Sequence, residues 1–184
     1  MAFLKSINKS FESPAAVLVN YPDQALHIGA LTEHIMRSDK CRFSLKEREM
    51  IAAFTSGLND CTFCYNSHKE TAMAYGLEES FLTSLIEDIE SSSVEEKFKP
   101  VFRYVKKLTL TPSRLIQADV DAILDAGWDE NDFHFVVSIC ALFNFYNRLM
   151  DGYGVVNIPE FWNGIGQQLA QKGYDVSTWP TIPK

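Results

Sequence analysis

Apolar side chains recur every three or four residues along most of this chain, the period of a helix that buries one stripe. Phe98, Val101, Phe102, Val105 and Leu108 form such a stripe, and Ser93-x-x-Glu96 before it is the pattern of a capping box. The helix it predicts stops near Thr111-Pro112, because proline disfavours helical geometry in the preceding residue. Further helices are predicted over 22–37, with Pro22 in the first turn, and over 44–57, where Glu47 completes a second capping box and Gly57 can take the left-handed C-terminal conformation. Another is predicted over 61–75, with Asp60 as N-cap and Gly76 as the stop. Segments 78–89, 118–125, 130–151 and 160–172 complete the set. No alternating run flanks an Asn-Gly or Asp-Gly turn, so the pattern predicts an all-α fold.

With 184 residues, 46% of them hydrophobic, the chain is long enough for one sizeable core, and a single helical domain over 1–184 is expected. Helical segments before and after residue 100 have a comparable layout, the trace that two similar halves would leave, although the second half has no counterpart to the paired cysteines described below. Ser91 to Ser93 reads as a turn, 152–159 as irregular, and 177–184, with Pro180 and Pro183, as an extended strap or interface arm. The most apolar stretch, 133–150, contains His134, Asn144, Asn147 and Arg148, which makes it a buried helix and not a membrane span. Its cluster of Phe133, Phe135, Phe143, Phe145 and Tyr146 exceeds what one stripe holds, so cover from the core on one side and another subunit on the other is expected. The polar residues Asn147, Arg148, Asp151 and Gly152 read as the exit of that helix to solvent.

Charge narrows the function classes. Twenty-four acidic against 17 basic residues leave a net charge of -7, without the attraction for phosphate backbones that drives most nucleic-acid binding. Residues 1–12 carry two lysines and no apolar stretch of signal-peptide length, so a cytoplasmic protein is expected. A reducing compartment does not keep structural disulfides closed, so any disulfide formed by the four cysteines should be a working one.

Two of those cysteines lie in Asn-Asp-Cys61-Thr-Phe-Cys64-Tyr-Asn-Ser-His68. On a helix beginning at Cys61, positions 61, 64 and 68 fall at about 0°, 300° and 340° around the axis and share one face. Both sulfurs then sit where free N–H groups and the helix dipole stabilise a thiolate, the reactive form of cysteine. His68, one turn beyond Cys64, is placed to take the thiol proton, and an imidazole is a better base when a carboxylate holds its far nitrogen. Glu47 and Glu49 on the preceding helix are the candidates, and only one of them can face inward.

Glu49, Cys61-x-x-Cys64 and His68, within residues 44–76 and framed by Gly57 and Gly76, resemble the core of the alkylhydroperoxidase D-like proteins of the carboxymuconolactone decarboxylase superfamily. The resemblance implies an all-helical homo-oligomer that reduces hydroperoxides through its cysteine pair, without cofactor or metal. It implies that Glu49 orients His68, that His68 helps activate Cys64, and that Cys61 condenses with the resulting Cys64 sulfenic acid to a disulfide. A dithiol, in that family sometimes a lipoyl group on a partner protein, then reopens the bond. One departure is that Thr62 and Phe63 stand between the cysteines, where some members carry another histidine; this matches the branch described only as peroxidase-related.

Several readings stay open on sequence alone. Helix-dipole reasoning favours Cys61 as the attacking thiol, whereas proximity to His68 favours Cys64. The pair could serve protein partners as a thiol–disulfide oxidoreductase, or the chain could be a lactone decarboxylase, the other activity of the superfamily. Cys61, Cys64 and His68 are also a partial zinc set that lacks a fourth ligand, and a packed pair of thiols in a non-enzymatic assembly module is the blandest option. Cys41, Cys140, His27, His34 and His134 have no partner at ligand spacing and read as packed or exposed, and Tyr65 reads as packing.

Overall fold

A computed structural model describes residue 3, residues 20–155, the helix backbone at 159–163 and residues 164–175; the expected strap at 177–184 and most of the N-terminal dozen lie outside them. The described residues form eight helices and no strand: α1 Pro22–Arg37, α2 Leu45–Leu58, α3 Thr62–Ala74, α4 Phe81–Glu87, α5 Lys99–Leu110, α6 Gln117–Asp125, α7 Glu130–Gly152 and α8 Pro159–Lys172. Single 3-10 turns, Glu96–Phe98 and Pro112–Arg114, flank α5.

α2 is the centre of the molecule. Every residue from Arg48 to Ser56 is buried, and α1, α3, α4, α5 and α7 all pack on it. Its start obeys the expected capping box, with Glu47 N–H donating to Ser44 Oγ and Ser44 N–H donating to Glu47 Oε2. Burying Arg48 is tolerable because its guanidinium donates to the carbonyls of Met36, Cys41 and Phe43 at 2.8–2.9 Å, which ties the α1–α2 connection to the helix. Around α2, Phe54 meets Phe102 edge-on at 5.0 Å, and Trp128 packs on Phe43 and Phe98 with centroids 4.4 and 5.0 Å away.

Four boundaries differ from the sequence expectation. Gly57 stays helical, and the left-handed residue is Asp60, at φ +54°. Cys61 N–H to Ser56 O (3.1 Å) and Asp60 N–H to Gly57 O (3.1 Å) are the two bonds of a Schellman ending. Gly57 is small for a different reason: a Cβ there would lie 2.4 Å from Ile86 Cδ1 and 3.2 Å from the Tyr65 ring. Consequently Asp60 does not cap α3. Cys61 is itself the N-cap residue, and the first helical residue is Thr62. The Ser93/Glu96 capping box does not form, because Glu96 accepts from Lys99 Nζ at 2.5 Å and the segment opens as a 3-10 turn. α4 is shorter than expected, since Glu78 closes a turn onto Phe81 N–H and Asp88 takes extended backbone. Gly76, at φ +85°, ends α3 as expected.

α7 begins with Asp129 and Asp132 in a capping box and runs the length of the bundle. Phe135 and Phe143 are buried and Phe133 and Tyr146 are half-buried against the core, while Phe145 is exposed. No helix among the described residues is long and apolar enough to cross a membrane.

Candidate active site

Residues from three helices and the end of a fourth meet beside α2. Glu49 is among the largest fully buried side chains and the half-exposed Glu47 is spent on the cap, so Glu49 is the carboxylate that faces inward. Its Oε2 lies 2.8 Å from His68 Nδ1, from α2 to α3. Such a contact fixes the neutral imidazole as the Nδ1–H tautomer and leaves Nε2 as the basic nitrogen. Phe143 of α7 presents its ring to the imidazole edge-to-face, centroids 4.3 Å apart, and holds the plane of the ring.

Both thiols are reduced and buried; Cys61 is inaccessible and Cys64 is 4% exposed. The helix expected to begin at Cys61 has Cys61 as its N-cap, its carbonyl accepting from Tyr65 N–H at 2.9 Å, and Cys61 packs with Cys64. Cys61 Sγ points at Asn147 O of α7, 3.9 Å away. Cys64 occupies the third helical position, and its hydrogen bond with Cys61, then its burial, push its thiol well above the ordinary range, while the Asn147 amide pulls the other way. The reduced pair therefore holds the Cys64 thiol proton tightly. Met150, Phe63, Tyr146, Leu149 and Val155 surround the sulfurs with apolar surface. The Tyr146 hydroxyl is bonded to Thr32 Oγ1 at 2.7 Å, and burial pushes its phenol up to about 12.

Two residues near this site carried other readings or none in the sequence. Asn147, expected at a solvent exit, is 1% exposed; its Nδ2 donates to Ser56 Oγ (2.9 Å) and its Oδ1 accepts from Asn59 (2.8 Å). It clamps α7 to the end of α2 where the chain turns towards the cysteines. Tyr174 donates its hydroxyl to Glu49 Oε1 at 2.6 Å and lies 3.3 Å from His68 Nδ1. The only sequence signal near it is Gly173, a helix stop one residue earlier.

The remaining candidates are packing or surface. Cys140 is buried against Thr109 Oγ1 and Val105 O, Cys41 is buried in the main core, and His27, His34 and His134 are exposed. Tyr65 packs on the core beside Gly57. Among the described residues no group of three His, Cys, Asp or Glu is placed to hold a metal ion.

No protein-family model matches this sequence, and no curated protein matches it. Solved structures do. The alkylhydroperoxidase AhpD core of an uncharacterized peroxidase-related protein from Ralstonia eutropha JMP134 superposes with a TM-score of 0.73 at 22% identity, over 80% of this chain and 77% of that one. An uncharacterized peroxidase-related protein from Silicibacter sp. TM1040 gives 0.68 at 20% identity, over 75% and 71%. The chain thus has the all-α, alkylhydroperoxidase D-like fold.

Proposed function

We propose that this chain is a thiol-dependent peroxidase, a single helical domain that reduces hydroperoxides through a dithiol–disulfide cycle of Cys61 and Cys64. The observation that carries the reading is the buried 2.8 Å contact between Glu49 and His68, one helical turn from Cys64. A structural histidine needs no buried carboxylate on one nitrogen with its other nitrogen kept basic; a proton relay does.

His68, backed by Glu49, takes the Cys64 proton. The Cys64 thiolate attacks the distal peroxide oxygen, the O–O bond breaks, and the alkoxide leaves as an alcohol after receiving a proton, with Cys64 oxidised to a sulfenic acid. The Cys61 sulfur then attacks Cys64, expelling water and closing the disulfide. A dithiol reductant restores the pair by exchange, itself becoming a disulfide. The high proton affinity of Cys64 suits this order, because a more basic thiolate is a stronger nucleophile once formed. Burial of both sulfurs within Phe63, Tyr146, Leu149 and Met150 favours a small organic hydroperoxide over a folded protein disulfide. A lipoyl arm on a partner protein is a reductant slender enough for such a site, and a homo-oligomer in the cytoplasm completes the proposal.

Hydroperoxide consumption with dihydrolipoamide, run on wild type beside Cys61→Ser and Cys64→Ser, tests the reading. Turnover by wild type and background rates in both variants are expected, with a trapped sulfenic acid on Cys64 in Cys61→Ser. A wild type inert with several organic hydroperoxides, while its pair still oxidises and reduces, would overturn the peroxidase assignment.

A further inference from the structure

Tyr174 reaches Glu49 because two other helices, α1 and α3, grip the end of α8. The helix closes at Gly173, at φ +71°, whose N–H donates to Leu169 O at 3.0 Å. The next N–H, that of Tyr174, donates to Glu33 Oε2 of α1 at 2.5 Å. A Cβ at Gly173 would lie 2.5 Å from that same oxygen, so glycine is required both for the turn and for the approach of the carboxylate. Arg37, one turn further along α1, donates to Leu169 O and to the Tyr75 hydroxyl, and its guanidinium lies 5.5 Å over the Tyr174 ring. Tyr75, at the end of α3, donates in turn to Ala170 O at 2.8 Å. At Gly166 a Cβ would come within 2.5 Å of Glu70 Cβ and 2.7 Å of its backbone carbon, so α8 also lies directly against α3.

The geometry points to Tyr174 as a positioning residue of the Glu49–His68 relay: its hydroxyl occupies Glu49 Oε1, which leaves Oε2 for His68 Nδ1. The inference deepens the proposed function and rests on its relay. Two donors on two oxygens fix the carboxylate's rotation, and the 2.6 Å bond gives a partner to an oxygen of a side chain that is only 1% exposed. The phenol is suited to donate and not to ionise, because burial and the neighbouring Glu49 charge hold its proton. The ionisable groups that face it are Glu33 and Arg37 from α1, Glu49 from α2, and His68 and Tyr75 from α3.

Tyr174→Phe keeps the ring and removes the donor. With the donor to Oε1 gone, the proton between Glu49 and His68 is held more tightly, and the midpoint read from the His68 ring is expected to lie about one pH unit above that of wild type. Histidine ring resonances of the reduced protein, with His68 assigned from a His68→Asn spectrum, report this midpoint without any peroxide. The acid limb of kcat/KM, where turnover exists, moves in the same direction. Site-specific 3-fluorotyrosine at 174, a stronger donor of nearly the same shape, shifts the midpoint down. A folded Tyr174→Phe variant whose midpoint stays at the wild-type value overturns the proposal, whatever its melting temperature. If that variant does not fold, an unmoved midpoint in the fluorotyrosine protein does so. Absence of hydroperoxide turnover in wild type would instead overturn the peroxidase reading and leave the ring titration to decide the role of Tyr174.

Discussion

Glu49 and His68 stand 19 residues apart in the chain and 2.8 Å apart in the fold, on neighbouring helices joined by a left-handed turn at Asp60. The turn sets the angle at which α3 leaves α2, and so decides that these two side chains meet. Glu49→Gln keeps the shape but cannot support a developing imidazolium. On the proposed mechanism it lowers kcat/KM for an organic hydroperoxide on the order of 100-fold. A steady-state assay with dihydrolipoamide checks this, and an unchanged rate would remove Glu49 from the relay.

The alkaline side of the stability curve is set by groups whose protons the fold holds tightly. Cys64, Tyr146 and Tyr174 all have raised values in the folded chain. Unfolding frees them to ionise at ordinary values, so the native state binds more protons above that point and stability falls as pH rises. The Cys64 contribution is fully present at neutral pH and declines from about pH 8.5, the ordinary thiol value; the two phenols add their loss from about pH 10. Urea unfolding between pH 7 and 10 under reducing conditions should show a decline that is shallower in Cys64→Ser. Equal slopes in the two proteins would contradict the assigned burial of that thiol.

Asn147 has both structural and chemical consequences. Replacing it by Leu strips Ser56 Oγ and Asn59 of a partner and should cost about 1–3 kcal/mol in a urea titration. It also removes the amide that favours a thiolate at Cys64, so the reduced pair should react more slowly with iodoacetamide at neutral pH. A variant that is destabilised yet alkylated at the wild-type rate would restrict Asn147 to packing.

The two close helix contacts at glycine should respond differently to alanine. At Gly57 the nearest obstacle is the end of Ile86, which can rotate away, and alanine also improves helix propensity, so a loss of about 1 kcal/mol is expected. At Gly166 the obstacle includes the backbone of Glu70, and a loss of about 3 kcal/mol follows from forcing α8 away from α3. Thermal unfolding of both variants gives the order directly; the reverse order would mean that α8 packs less tightly than described.

Sequence alone determined the helices, because the apolar stripes, the Ser44–Glu47 box, the Thr111-Pro112 stop and Gly76 are all local signals read within a few residues. It also singled out Cys61, Cys64 and His68 as candidates, since spacing along one helix is a short-range property, whereas the choice of Glu49 over Glu47 came from the family resemblance and not from spacing. It misplaced the left-handed residue, assigning it to Gly57, because a glycine needed for close packing against Ile86 and Tyr65 looks the same in a sequence as one needed for a turn. The burial of Asn147 depended on α7 continuing past the end of α2, so a polar residue near a helix end was read as a surface one. Tyr174 lies 106 residues beyond His68, and no periodicity or motif connects positions so far apart. Only the packing of α8 on α1 and α3 brings its hydroxyl to Glu49, because long-range hydrogen bonds are selected by how whole helices fit together and not by neighbouring sequence.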